Sequence, residues 1–148
     1  MKVFMPNFDK RSMVIKGKDG DYRIDGLVTV ITQDYNSREV LMVAYTDKAG
    51  YLETLRTGIA TYYSTSRKER WVKGETSGNY QEVTGILIDC DGDCVIYIVR
   101  QKGGWACHTD ARSCFYRNQS HQISVAFKAG AEEELPQVDL DNIHPRLA

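Results

Sequence analysis

VTGILIDCDGDCVIYIVR, residues 83–100, sets two β-prone runs on either side of an Asp-Gly centre. Val83 to Asp89 and Cys94 to Arg100 are rich in Val, Ile and Leu, and Asp91-Gly92 is a favoured two-residue turn, so the stretch reads as a β-hairpin. The turn also decides the chemistry. Fully extended, Asp89 and Asp93 would stand about 13 Å apart at ~3.3 Å per residue, too far to share an ion. Folded back, Asp89, Asp91 and Asp93 converge into a hard oxygen set suited to Mg²⁺ or Ca²⁺. An EF-hand reading fails, because its sixth position would be Cys94 instead of glycine and its twelfth Arg100 instead of glutamate. A plain solvated hairpin tip is the competing reading, and Cys90 inside the turn argues against it. Alternation sends the Cys90 side chain away from its aspartate neighbours, so two distinct sites are expected here.

Outward from this hairpin, LVTVITQ (Leu27 to Gln33) and VLMVAYT (Val40 to Thr46) flank a polar run and read as a second hairpin. Asp47 to Thr57 reads as a short helix: Thr46 or Asp47 can cap its start, Leu52 and Leu55 share a face, and Gly58 can end it. Further strands are expected at Ala60 to Ser64, Cys114 to Tyr116 and Ile123 to Phe127. Some seven strands and one helix imply a mainly β (α+β) fold, a barrel-like sheet assembly capped by one short helix. Residues 1–130 are expected to form one domain. From Ala131 the chain carries Glu132, Glu133, Glu134, Asp139 and Asp141 against Arg146 alone, which predicts a loosely held acidic tail over 131–148.

A chain of 148 residues with 42% hydrophobic content is long enough to bury one core. Its net charge of -1 argues against a basic nucleic-acid binder or a membrane-surface protein, so any anion site must be local. No run approaches the ~20 apolar residues of a membrane span and the N-terminus lacks a signal-peptide core, so a cytoplasmic protein is expected. In a reducing compartment four cysteines point to metal ligation, catalysis or core packing before disulfides. The sequon Asn118-Gln119-Ser120 carries little weight without a secretory signal, and His121 and His144 read as surface residues.

Cys107 and Cys114 are separated by six residues, wider than the usual structural zinc pair. With Cys90 they make three thiolates, which select zinc and leave an open coordination position, the arrangement of a catalytic site. Adding Cys94 would close a structural four-cysteine cluster, but Cys94 begins the apolar run CVIYIV and reads as a small core residue. His108 follows Cys107 directly and can move protons near neutral pH, or serve as a structural or ligating histidine. Ser64 to Asn79 collects hydroxyls, glycines and four basic residues, the groups that bind phosphate oxygens, though without the order of a P-loop. A solvated loop is the competing reading, and Trp71 could stack on a base or pack in the core.

Taken in order, these segments resemble the phosphoribosyl-AMP cyclohydrolases of histidine biosynthesis. The resemblance rests on Asp25-Gly26-Leu27, LMVAY (Leu41 to Tyr45), STSR (Ser64 to Arg67), WVKGETSG (Trp71 to Gly78), DCDGD (Asp89 to Asp93), ACHT (Ala106 to Thr109) and RSCFYR (Arg112 to Arg117). It implies an obligate homodimer in which Zn²⁺ is held by Cys90 of one subunit and Cys107 and Cys114 of the other, with Mg²⁺ on Asp89, Asp91 and Asp93. The implied reaction hydrolyses the N1–C6 bond of N1-(5-phosphoribosyl)-AMP with zinc-activated water and His108 as base or proton shuttle. Ser66, Arg67, Trp71, Lys73, Glu75, Thr76, Ser77 and Arg112 are the expected substrate contacts. With about thirty residues after Arg117, no fused pyrophosphohydrolase domain is expected. One departure stands out: the family commonly carries Gly-Arg where this chain has Asp110-Ala111, which puts phosphate contacts from that loop in doubt. Two alternatives oppose this reading, a non-catalytic four-cysteine zinc module and a zinc nucleoside deaminase, whose H-x-E and P-C-x-x-C signatures are absent.

Overall fold

The computed structural model describes residues 4–118. By compactness the chain divides into Met1–Cys114 and Phe115–Ala148. The first unit carries β1 (Ser12–Ile15), β2 (Tyr22–Asp25), β3 (Leu27–Asp34), β4 (Val40–Asp47), α1 (Lys48–Thr57), β5 (Thr61–Ser64), β6 (Glu69–Val72), β7 (Gln81–Ile88) and β8 (Cys94–Gln101). Of the second, residues 115–118 have no regular secondary structure, and the Arg117 guanidinium lies 5.6 Å from the Tyr116 ring centre. The expected strand at Ile123 to Phe127, the acidic tail, His121 and His144 fall outside the described residues.

Six strands form one sheet in the order β6-β5-β4-β3-β8-β7, and β1 with β2 forms a separate hairpin. Every pairing in the six-stranded sheet is antiparallel except β3 with β8, which run parallel from Thr29 opposite Cys94 to Asp34 opposite Val99. Both hairpins read from the sequence are present. The sheet also curls: Ala60 donates to the Gln81 carbonyl (2.9 Å) and Val83 to that of Gly58 (2.8 Å), tying the far side of β7 to the entrance of β5. The result is a half-barrel with one short helix.

Its inner face follows the two-residue period of a strand. Val28, Val30 and Thr32 on β3 and Val95, Tyr97 and Val99 on β8 are buried around Leu41 and Tyr62. A chain of polar side chains crosses this apolar interior. Thr32 and Tyr62 share a hydrogen bond (2.7 Å), Tyr62 donates to Gln81 (2.6 Å), and Gln81 donates to Gln101 (2.9 Å). Gln101 in turn donates to the Asn79 carbonyl (3.1 Å), which carries the chain out to the surface loop. Burial pushes the Tyr97 phenol up to about 12 and that of Tyr62 above its ordinary range.

The helix starts as expected, with Asp47 accepting from the Gly50 amide (2.8 Å), and ends at Gly58 in the left-handed region (φ 72°), where only glycine is free of a Cβ penalty. Its buried face, however, is Gly50, Tyr51 and Thr54, while Leu52 and Leu55 are each 45% exposed. Thr54 decides this: it donates to the Gly50 carbonyl (3.0 Å) and accepts from the Thr61 amide (3.0 Å), turning the polar side toward β5.

Two further differences from the sequence reading arise. β1, β2 and β6 were not expected; all are four-residue strands with charged or exposed residues. The expected strand at Cys114 to Tyr116 is absent. β5 meets β4 only at Tyr45 opposite Tyr63, and Ser113 and Cys114 fill part of the open edge with single bonds to Val40 (2.6 Å) and Leu41 (2.7 Å) instead of a ladder.

Gln81→Leu removes the acceptor of Tyr62 and the donor to Gln101 at a fully buried site. A loss of about 1–3 kcal/mol is expected in urea unfolding, with the structured loop at residues 79–80 gaining mobility in amide exchange.

Candidate metal and active site

Asp89, Asp91 and Asp93 bring one carboxylate oxygen each to within 4.8 Å of one another, the single such group of metal-competent side chains among the described residues. Oxygens on opposite sides of Mg²⁺ stand about 4.2 Å apart, twice the ~2.1 Å bond, so small side-chain shifts would close the three onto an ion. The hairpin turn builds this group: Gly92 (φ 81°) and Cys94 both donate to Asp89 Oδ1, at 2.9 and 3.2 Å. Lys10 donates to Asp91 and Arg11 to Asp93. The Lys10 hydrogen bond is the main cause that holds Asp91 down at about 2. Cys90 is exposed and lies outside the aspartate group, as alternation implied.

Cys107 and Cys114 meet at the other end of the sheet. Their loop is a pair of turns: Asp110 donates to the Cys107 carbonyl, Cys107 to that of Ala111 and Ala106 to that of Arg112, each at 3.1 Å. The two thiols lie close enough for each to shift the other's ionisation. Burial opposes the Cys107 thiolate, but the Thr109 hydroxyl (3.1 Å), Cys114 and the Lys73 charge outweigh it and hold that thiol below its ordinary value. Burial, with Cys107 alongside, pushes Cys114 up to about 11. A soft, closely set pair, one thiol held below its ordinary value and the other above, is a donor set that fits zinc.

One chain does not bring Cys90 to this pair. Cys94 opens β8 opposite Thr29, whereas Cys114 is bonded to Leu41 beside the level of Gln33 and Ile98. Four residues of strand separate those levels, about 13 Å at ~3.3 Å each. Two sulfurs on one zinc are under ~5 Å apart, so neither Cys90 nor Cys94 joins Cys107 and Cys114 within a single chain. Cys94 is half-buried, and burial raises its thiol, as suits a packing residue.

His108 is exposed in the turn after Cys107. Lys73 is the residue whose position the sequence did not reveal: its ammonium donates to the Ala106 carbonyl at 2.6 Å and sits near both thiols, and burial lowers its pKa. Glu75, Thr76 and Ser77 are exposed on the loop that Lys73 begins. That loop doubles back so tightly that a Cβ on Gly74 (φ 90°) would meet the Tyr80 amide nitrogen at 2.3 Å. Trp71 stacks on Tyr62 (5.0 Å between ring centres), so one face belongs to the core. Ser66 and Arg67 lie on the exposed β5–β6 turn, Arg67 with Glu69 at 3.4 Å. Arg112 is bonded to Glu39 (2.6 Å) and faces Asp34 (3.5 Å), walling a polar cavity of about 460 Å³ lined also by Asn36, Arg100 and Lys102.

The model of the family described as phosphoribosyl-AMP cyclohydrolase matches residues 42–116. The chain belongs to the phosphoribosyl-AMP cyclohydrolase family. Its relatives include the phosphoribosyl-AMP cyclohydrolase of Halobacterium salinarum, 57% identical over 63% of this chain and 71% of the relative. That of Archaeoglobus fulgidus is 56% identical over 62% and 84%, and that of Desulfotalea psychrophila 53% identical over 64% and 74%. Membership also makes sense of the departure at Asp110-Ala111. Asp110 adopts φ 63°, the left-handed conformation that glycine takes freely and aspartate tolerates, so the turn survives without the family's usual glycine.

Two substitutions probe this loop architecture. Asp110→Gly is expected to stay within about 1 kcal/mol of the parent, whereas Asp110→Val should cost about 1–2 kcal/mol through the left-handed penalty, both read by thermal unfolding. Gly74→Ala should displace the residue 73–80 loop, seen as faster amide exchange there and at Ala106.

Proposed function

We propose that this protein hydrolyses the N1–C6 bond of N1-(5-phosphoribosyl)-AMP to give the phosphoribosyl-formimino-aminoimidazole carboxamide nucleotide, the third step of histidine biosynthesis, in the cytoplasm. Family membership supports the reaction. The observation that carries the site is the separation of Cys90 from the level of the Cys107–Cys114 pair by at least four residues of strand, which supports a homodimer whose zinc takes Cys90 from one subunit and Cys107 and Cys114 from the other.

Bound there, zinc supplies Lewis-acid activation of water near neutral pH. Bound at Asp89, Asp91 and Asp93, Mg²⁺ supplies positive charge that offsets the substrate's two phosphates and the thiolates. In the overall change, the oxygen of water becomes the carboxamide oxygen at C6, the N1–C6 bond breaks, and N1 keeps its ribosyl group as the amidine nitrogen. His108, exposed beside Cys107, takes the proton from water and returns one to the leaving nitrogen. Lys73 holds the Ala106 carbonyl, so the cysteine loop and the loop bearing Glu75, Thr76 and Ser77 act on the nucleotide as one surface. Ser66, Arg67, the free face of Trp71 and the cavity beside Arg112 complete the contacts, the last suited to a phosphate.

Three measurements test this reading. Protein loaded with Zn²⁺ and Mg²⁺ is expected to convert phosphoribosyl-AMP with the ultraviolet change of an opened purine, and absence of turnover with both metals bound would reject the activity. Cys90→Ser and Cys114→Ser homodimers should each be inactive, yet an equal mixture should recover about a quarter of parental activity, because half the dimers are mixed and each has one intact site; a mixture as inactive as its components rejects the shared site. Because burial pushes the Cys114 thiol up to about 11, zinc must displace its proton at neutral pH. Apparent zinc affinity should therefore rise about tenfold per pH unit per proton between pH 6 and 8, with proton release seen as a buffer-dependent binding enthalpy.

A further inference from the structure

The segment ahead of the half-barrel lies outside residues 42–116, the part matched by the family. It is nevertheless fastened to the aspartate turn. Pro6 and Phe8 are buried, Phe8 packs edge-on against Tyr51 (5.9 Å between ring centres), and the Asn7 amide donates to the Gly92 carbonyl at 2.7 Å. Gly92 fits closely beneath it, since a Cβ there would stand 3.1 Å from the Asn7 nitrogen. A turn in which Asp9 donates to Asn7 Oδ1 (3.2 Å) then brings Lys10 and Arg11 over the turn.

Both cations land on carboxylate oxygens of the triad. Lys10 Nζ donates to Asp91 Oδ2 and lies 4.0 Å from Asp93 Oδ2, while Arg11 Nε donates to that same Asp93 oxygen. Three carboxylates bring a charge of -3 and the two cations return +2, leaving -1. A divalent cation entering at ~2.1 Å from these oxygens would meet two positive groups already bonded to them. We propose that Lys10 and Arg11 are built-in counter-ions of the aspartate triad, which hold its carboxylates together without metal and set the divalent-cation affinity of the site by competing for the same oxygens.

This inference rests on the triad being a Mg²⁺ site, and the test separates the two. Mg²⁺ alone is titrated calorimetrically at low ionic strength into the parent and into a Lys10→Gln/Arg11→Gln variant of unchanged circular dichroism. Two exposed ion pairs correspond to an affinity about two- to thirtyfold tighter in the variant. In the parent, saturating Mg²⁺ should also accelerate amide exchange across residues 7–11 as the arm lets go, a readout that needs no variant to fold. Equal Mg²⁺ affinity in both proteins overturns the competition and leaves the metal site standing. Tighter binding with unchanged exchange also overturns it, since that is long-range charge without release. No Mg²⁺ heat in either protein overturns the metal site and the competition together.

Discussion

The parallel pairing of β3 with β8 is the constraint on which the rest of the molecule depends. An antiparallel partner could have followed β3 through a hairpin, as β4 does, but a parallel one requires the chain to travel through β4, α1, β5, β6 and β7 before it returns. The crossover fixes both ends of β8 against both ends of β3. At one end Thr29 donates to the Asp93 carbonyl (3.2 Å), seating the aspartate turn; at the other Tyr35 donates to the Val99 carbonyl (2.8 Å), beside the cysteine loop. The aspartate turn and the cysteine loop are thus held at separate levels of one element, and that separation is what the proposed shared site rests on.

Between those ends the interior is held by hydrogen bonds as much as by apolar contact. Tyr62, Gln81 and Gln101 each need the next, and Gln101 reaches the backbone of residues 79 and 80, where the loop begun by Lys73 closes. Asn79 continues the fastening: in the amide orientation that satisfies its neighbours it accepts from the Trp105 indole (3.0 Å) and donates to the Gly103 carbonyl (3.3 Å). Core, the loop over residues 73–80 and the cysteine loop are therefore one connected body, and a substitution in the core can move either loop without touching it.

What the sequence disclosed follows from how local each signal is. Asp47 and Gly58 mark a helix within a dozen residues, and Asp91-Gly92 marks a hairpin within two, so both are legible. The aspartate triad is legible for the same reason, since one turn assembles it. The distance between Cys90 and Cys107 is set by β3, some sixty residues upstream, and no spacing rule carries it. Lys73 likewise finds its acceptor 33 residues away, and Lys10 and Arg11 find theirs more than eighty residues away. β1, β2 and β6 were missed because strands of only four residues, none of them buried, leave too short an apolar pattern to read. β1 and β2 are secured instead by long-range contacts from Tyr22, whose hydroxyl donates to the Thr65 carbonyl (2.6 Å) and whose ring lies under Lys68.

The bonds that curl the sheet cover only one end of β7. Gly58–Ala60 reach Gln81 to Val83, and among the described residues no strand lies against the outer edge of Thr84 to Ile88, where Leu87 is 54% exposed. An open edge of Thr-Gly-Ile-Leu-Ile is a template for strand addition by any extended chain that meets it. The irregularity between Val83 and Gly85 bends the strand there and makes the edge a poorer template. Thr84, left without a partner in the β7–β8 register, is where that edge loses its regularity, so the strand that offers the template also interrupts it.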